Sequence, residues 1–430
     1  MNSIFLGIVL IAFAAAAWRE LTHVALEGVP SPMEALSTGM ISSAAGAVEL
    51  ALGLVGVMTL FLGLMKVAEA GGLLTIIARL IRPLMTRLFP EVPANHPAMG
   101  AMILNMSANA LGLGNAATPF GIRAMQELDK LNPRPGTATN SMALFLAINT
   151  SSVTLLPTGV IAIRAAAGSS DPAGILPTTL FATLCATIAA ISAALLYRRF
   201  FPVGPPDPSA ATLERPWVTE GPGDTLPEDP GAYPLWVSIV ALCTLFALIP
   251  ATVIWGSAIS PWIIPSLMLG FLLFGAARGV RIYEVFVEGA KEGFQVALRI
   301  IPYLVAILVA VGMFRASGAM DTMVALLGGI TSRFGLPPEA LPMALLRPLS
   351  GSGAYGVMAS IINDPMIGPD SYIGYLVTTL QGSTETTFYV LAVYFGAVQI
   401  RRIRHTLAAA LTADVVAVIA AVAICSYLFL

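Results

Sequence analysis

The chain has 430 residues, 57% of them hydrophobic and 11% charged, with a mean hydropathy of +0.83. A soluble chain of this length would carry about twice that charged share to cover its surface, so the sequence reads as an integral membrane protein rather than a soluble enzyme. A net charge of -2, from 22 basic and 24 acidic residues, leaves no basic excess for a nucleic-acid partner. Cys185, Cys243 and Cys425 each sit in a long apolar run, which suits core thiols and not a disulfide framework or metal cluster.

In chain order, residues 2–18 form an apolar run with no basic residue ahead of it and no small-residue cleavage pattern behind it. That run predicts a retained helix, not a signal peptide. A second span is expected at 45–65, with Glu49 near its start. Residues 71–89 put Thr75, Arg79, Arg82 and Thr86 on one helical face, which predicts a basic helix on the cytoplasmic surface, kinked at Pro83. The apolar segment 98–118 is rich in Gly, Ser and Asn (Asn105, Ser107, Asn109, Asn115 and Thr118) and is expected to be re-entrant. The span at 140–165 is interrupted by Asn149-Thr-Ser-Ser-Val-Thr154, and a further span covers 174–197.

A proline-rich linker at 201–233 can neither pack a core nor continue a helix, so it divides the chain into units 1–200 and 234–430. Spans are then expected at 235–254, 258–276, 295–314, 371–397 and 406–429, giving nine crossings in all. A second re-entrant segment, 340–362, carries Arg347, Ser350 and Ser352. The span at 371–397 is interrupted by Gln381-Gly-Ser-Thr-Glu-Thr-Thr387.

The two units share an order of features: Glu34-Ala-Leu-Ser-Thr-Gly against Glu284-Val-Phe-Val-Glu-Gly, a Gly break, a Pro-containing turn, a small-residue segment and a polar interruption. This order argues for an internal duplication. Arg198 and Arg199 follow the last span of the first unit, whereas Arg401, Arg402 and Arg404 precede the last span of the second. Since basic residues favour the cytoplasmic side, the two final helices should run in opposite directions. The expected fold is an all-α membrane protein of two inverted-topology repeats, about nine spanning helices, two re-entrant segments and broken helices at the midplane. Its N-terminus is expected inside and its C-terminus outside. Arg19, Arg164, Arg315 and Arg333 then fall on the outer side.

Ionisable groups within a bilayer are costly, which singles out Glu49, Arg299, Arg347 and Glu385. Glu49 and Arg299 read as interfacial anchors. Arg347 and Glu385 could approach the midplane together, as a structural ion pair or as a substrate or proton site. The polar interruptions imply unwound backbone with free carbonyls and exposed half-helix ends, the kind of element that binds ions and small polar solutes. The blander alternative is helix packing through Ser and Thr. The expected solute site gathers Asn105, Ser107, Asn109, Asn115, Asn149, Thr150, Ser151, Ser152, Arg347, Ser350, Ser352, Gln381, Ser383 and Thr384, with Glu385 as the ion-coupling group. Enzyme signals are poor. No His pair stands at metal-ligand spacing, Ser350 occupies a position where a Gly-x-Ser-x-Gly elbow needs Gly, and there is no Walker A sequence. Neither a cofactor nor a metal is expected.

Asn105-Met-Ser-Ala-Asn-Ala-Leu-Gly-Leu-Gly-Asn-Ala-Ala-Thr-Pro-Phe-Gly121 and Leu146-Ala-Ile-Asn-Thr-Ser-Ser-Val-Thr-Leu155 resemble the spore maturation protein A family. Arg347-Pro-Leu-Ser-Gly-Ser-Gly353, Gly368-Pro-Asp-Ser371 and the run Gln381-Gly-Ser-Thr-Glu-Thr-Thr-Phe-Tyr-Val-Leu-Ala-Val-Tyr-Phe-Gly396 resemble the spore maturation protein B family. Both families belong to the nucleoside-recognition, or Gate, group, which is similar to gating regions of concentrative nucleoside transporters and ferrous iron transporters. The resemblance implies a bacterial inner-membrane protein with a transporter-like core. The leading expectation is a proton- or sodium-coupled transporter or exporter of a small polar solute, anionic solutes included. The alternative is a non-transporting scaffold in envelope or spore maturation. Expected partners are the solute, the coupling ion and the lipid bilayer, with self-association compatible with the sequence.

Overall fold

The computed structural model describes residues 2–23, 30–112, 114–202 and 232–430. The centre of the expected linker, 203–231, lies outside the described residues. The first half contains α1 (Asn2–Leu21), α2 (Pro32–Ala70), α3 (Leu73–Leu88), α4 (Pro97–Ala110), α5 (Gly114–Lys130), α6 (Asn140–Ser151), α7 (Thr158–Ala166) and α8 (Leu176–Tyr197). The second contains α9 (Leu235–Ala277), α10 (Ile282–Ala316), α11 (Ala319–Thr331), α12 (Leu341–Leu346), α13 (Gly351–Ile362), α14 (Tyr372–Ser383), α15 (Thr387–Ala397) and α16 (Thr406–Phe429). One order recurs: a long helix, a shorter one, a helical hairpin, a broken helix and a straight apolar helix. The described residues contain no strand, only an isolated bridge between Thr137 and Arg402.

Local chemistry sets the boundaries. Ser31 caps α2 in a reciprocal box, its hydroxyl accepting from the Glu34 N–H at 3.3 Å while the Glu34 carboxylate accepts from the Ser31 N–H at 3.0 Å. Gly72, at φ 89°, redirects the chain into α3, which leaves the end of α2 at 68° and contains Pro83. Thr139 and Ser371 cap α6 and α14, each accepting a backbone N–H three residues on.

Pairwise contacts fix the directions of the helices. Along α2 and α10, Gly39 faces Ala316, Ser43 faces Gly312, Gly63 faces Phe286 and Lys66 faces Gly289, so these helices run antiparallel through small-residue contacts. Helices α8 and α16 are antiparallel as well: Ala190 and Ala194 share a core cluster with Ala409 and Ala413, and Ala182 shares another with Ala420 and Ala421. In α6 and α15, Phe145 stacks on Tyr394, while Arg164 of α7 meets Thr378 of α14, so the two broken helices lie antiparallel with their breaks side by side.

Among the described residues, α8 and α16 are long and apolar enough to cross a membrane, and a third span is added if the bent pair Thr59–Ala70 and Leu73–Leu88 counts as one. At 22 and 24 residues they measure about 33 and 36 Å, matching a hydrocarbon core of about 30 Å. The two spans expected at 235–254 and 258–276 are instead one uninterrupted helix, α9, because Trp255, Gly256 and Ser257 between them remain helical. At 43 residues it is roughly 65 Å long, about twice the hydrocarbon core.

Candidate functional site at the crossing of two broken helices

The interruptions in the sequence become breaks in the structure. Helix α6 stops at Ser151 and α7 begins at Thr158; α14 stops at Ser383 and α15 begins at Thr387. The breaks touch directly, the Glu385 N–H donating to the Thr150 carbonyl at 2.8 Å. Each break is also held by the tip of a helical hairpin. In the first hairpin, α4–α5, the Ala110 carbonyl accepts the Leu155 N–H at 2.9 Å. Gly112, at φ 74°, lies so close that a Cβ there would sit 2.5 Å from the Leu156 carbonyl oxygen. In the second, α12–α13, the Pro348 carbonyl accepts the Phe388 N–H at 3.1 Å and Arg347 donates to Thr386 Oγ1 at 3.1 Å. The first hairpin packs on the α6 and α15 side, through Asn105 and Gly121 against Tyr394. The second packs on the α7 and α14 side, where the Tyr355 hydroxyl lies over Gly159. The hairpins thus enter from opposite ends.

The polar side chains divide by what they bind. Asn109 Nδ2 donates to Asn149 Oδ1 at 2.9 Å, joining the first hairpin to the end of α6. Asn105 Nδ2 reaches the Ala117 carbonyl at 2.7 Å and the Tyr394 hydroxyl at 3.2 Å. Ser107, Thr150, Ser151 and Ser383 donate to carbonyls three or four residues back in their own helices. Ser350 caps α13 by accepting the Gly353 N–H at 3.0 Å. Thr384 is buried at the break, and Ser352 is half-buried. Asn115 lies in α5 with its side chain outside the described residues, as does the side chain of Arg299; Glu49 is exposed on α2. Thr183 of α8 closes one side, its hydroxyl donating to the Ser151 and Ser152 carbonyls.

Arg347 and Glu385 form no ion pair among the described residues. Arg347 is buried with its Nε unpartnered, and the half-buried Glu385 carboxylate accepts no hydrogen bond there. Asn105 Oδ1, Ser152 Oγ and Gln381 Oε1 are likewise buried without a partner. Unmade hydrogen bonds are costly in a low-dielectric interior, and Asn105, Ser152, Arg347 and Gln381 belong to the breaks and to the hairpins that hold them, while other unpartnered buried atoms, on Arg164 and His405 for example, lie at the two ends of the molecule.

Sequence reasoning missed Asp414. It sits on α16, is 6% exposed, and accepts from Thr387 Oγ1 at 2.7 Å through Oδ2, while Oδ1 has no partner among the described residues. Also missed was the role of Arg164, read only as a charge on the outer side. It is fully buried and donates to the Pro369 carbonyl at 2.6 Å, Asp370 Oδ1 at 2.9 Å, Ser169 Oγ at 3.1 Å and the Asp171 carbonyl at 3.1 Å, and lies over the Tyr375 ring. This staple joins the two halves at one end of the molecule, where Arg19 also meets the Ser317 carbonyl and Arg315 meets Asp364. Burial tends to raise the Asp370 carboxyl, but hydrogen bonds from Ser169 and Ser170 and the Arg164 charge outweigh it and hold the group below the usual carboxylate range.

At the other end, the Ala138 N–H donates to the Arg402 carbonyl and Arg404 donates to the Ala138 carbonyl, both at 2.9 Å. There His405, desolvated and beside Arg404 and Arg198, is pushed down to about 4.

Fold and crossing together define a helical membrane protein organised around paired broken helices. The family model described as nucleoside recognition (Gate) matches residues 51–167 and 297–401, and the chain belongs to that family. Spore maturation protein B of Bacillus subtilis (strain 168) is 48% identical over 166 residues, covering 39% of this chain and 92% of that protein. Spore maturation protein A of the same organism is 44% identical over 176 residues, covering 40% of this chain and 90% of that protein. Among solved structures, one of CNTnw in an outward-facing state is similar over 97% of this chain and 91% of that chain, at 14% identity and a TM-score of 0.45.

Proposed function

We propose that this protein is a secondary transporter or exporter of a small polar solute, anionic solutes included, bound where the two broken helices cross. The observation that carries the reading is the group of buried, unpartnered polar atoms there, on Asn105, Ser152, Arg347 and Gln381. The N-terminal ends of α7 and α15 add partial positive charge at the same place. Arg347 attracts the negative end of the solute, the amides of Asn105, Asn149 and Gln381 orient it, and the backbone of the breaks supplies free carbonyls and N–H groups. Glu385 is the group that takes the coupling proton or sodium ion, because an uncompensated carboxylate opposes closure around a desolvated intermediate. No step of this cycle requires an enzyme's bond chemistry.

The same reading makes the two halves, 1–200 and 234–430, inverted repeats in a bacterial inner membrane. The antiparallel pairing of α2 with α10 and of α8 with α16 supports inversion. The end carrying Arg198, Arg401, Arg402 and Arg404 is cytoplasmic by the positive-inside rule. In proteoliposomes with a proton or sodium gradient, Glu385→Gln is expected to abolish coupled flux while the protein stays folded. Full coupled flux in that variant would contradict the assignment. A second reading, a non-transporting scaffold, is favoured by similarity to two proteins named for spore maturation. It predicts that a stoichiometric protein partner co-purifies and that substitution of Ser383 and Thr384 leaves function intact.

A further inference from the structure

Two ionisable side chains grip consecutive residues at the second break. Arg347, from the second hairpin, donates to Thr386 Oγ1 at 3.1 Å, and Thr387 Oγ1 donates to Asp414 Oδ2 at 2.7 Å. Thr387 is the first residue of α15, so the acid on α16 holds the start of that half-helix. Asp414 is 6% exposed in a helix of membrane-spanning length, and its second oxygen has no partner among the described residues. A buried carboxylate with one hydrogen bond is an expensive group to keep charged unless a nearby cation offsets it.

We propose that Asp414 is a proton-binding site whose charge state balances Arg347 across Thr386 and Thr387. In the charged form, Asp414 and Arg347 offset one another through the break. When a proton binds Oδ1, the carboxyl becomes neutral and Arg347 is left with an uncompensated positive charge. That charge favours an anionic group at the crossing. Proton uptake and anion binding are thereby linked, a step that rests on the solute reading above, whereas the proton site itself does not. A proton fits better than a metal cation, which needs several oxygen ligands where one hydroxyl is found.

Among the described residues, Arg347 is the charged group that acts on Asp414. The helices packed against α16 are α6, α8, α14 and α15. Their titratable side chains are engaged elsewhere or lie at other depths: Tyr197 bonds Thr412, Tyr372 bonds Ser426, Tyr375 stacks on Phe429, Tyr394 bonds Asn105, Tyr389 is exposed, and Cys185 packs in the apolar core.

The test is infrared spectroscopy of the full chain in lipid vesicles, titrated over pH. A band from a protonated carboxylic acid should appear on acidification and be missing in Asp414→Asn. In Thr387→Val, which removes the hydrogen bond favouring the charged form, the same band should persist to higher pH. Wild-type and Asp414→Asn spectra that superimpose over the whole range would overturn the proposal, as would a Thr387→Val titration identical to wild type. The measurement needs no flux, so a band that titrates as stated in a protein that moves no solute would count against the transport reading alone.

Discussion

Gly112 carries two requirements that no other residue type meets. Its φ of 74° is strained for a side-chain-bearing residue, and a Cβ would meet the Leu156 carbonyl oxygen at 2.5 Å. Gly112→Ala is therefore expected to cost on the order of 2 kcal/mol or more and to lower the thermal midpoint by several degrees, read by thermal unfolding in detergent. His405 gives a pH dependence. Its folded-state value lies near 4, below the usual 6.5, so the unfolded chain binds more protons between those values. The stability it supports is complete above about pH 6.5 and falls as pH drops towards 4. Thermal midpoints at pH 7 and pH 5 should differ more for wild type than for His405→Asn; an equal difference would remove His405 as the cause. Asp370 behaves with the ordinary carboxylate sign: its contribution is present above the unfolded value and is lost as pH falls through the lower folded one, a loss that Asp370→Asn should not show.

At the scale of elements, both breaks were legible because runs of six or seven small and polar residues have no reason to continue a membrane helix. The two helical hairpins fall on the segments expected to be re-entrant, where Asn, Ser and Gly crowd 98–118 and Ser and Gly crowd 340–362. Asp414 was not legible. It is a lone acid in an alanine-rich span, and its partner Thr387 is 27 positions away, so nothing local marks it. Ser350 was read as a site residue from composition, and its cap to Gly353 emerges only once α13 is placed. The join expected between 254 and 258 stays helical, since a single Gly costs a helix only about 1 kcal/mol. The close contact of α2 with α10 yields a prediction of its own. Gly312 leaves no room beside Ser43, so Gly312→Leu should force the helices apart and lower the thermal midpoint, whereas the same change at Gly270, where a Cβ meets nothing within 4 Å, should have little effect.

For the whole molecule, the two ends are built differently. One is stapled by Arg164 to the 369–370 turn, the other by Arg404 and the Thr137–Arg402 bridge, and the crossing lies between them. If the Arg404 end is cytoplasmic, single cysteines at Arg199 and Arg402 should resist an impermeant thiol reagent in intact cells, and a cysteine at Ser170 should react. The reverse pattern would invert the topology.

The central claim is that a small polar solute completes the unmet hydrogen bonds at the crossing. Its most direct test is a thermal-shift screen of the detergent-purified protein against nucleosides, dicarboxylates, amino acids and metal ions, run beside Arg347→Ala and Glu385→Gln. A compound at one hundred times its dissociation constant stabilises the fold by about 2.7 kcal/mol. The account predicts a saturable shift in the wild type that is lost in folded Arg347→Ala. No shift with any compound, or a shift unchanged in both variants, would contradict it.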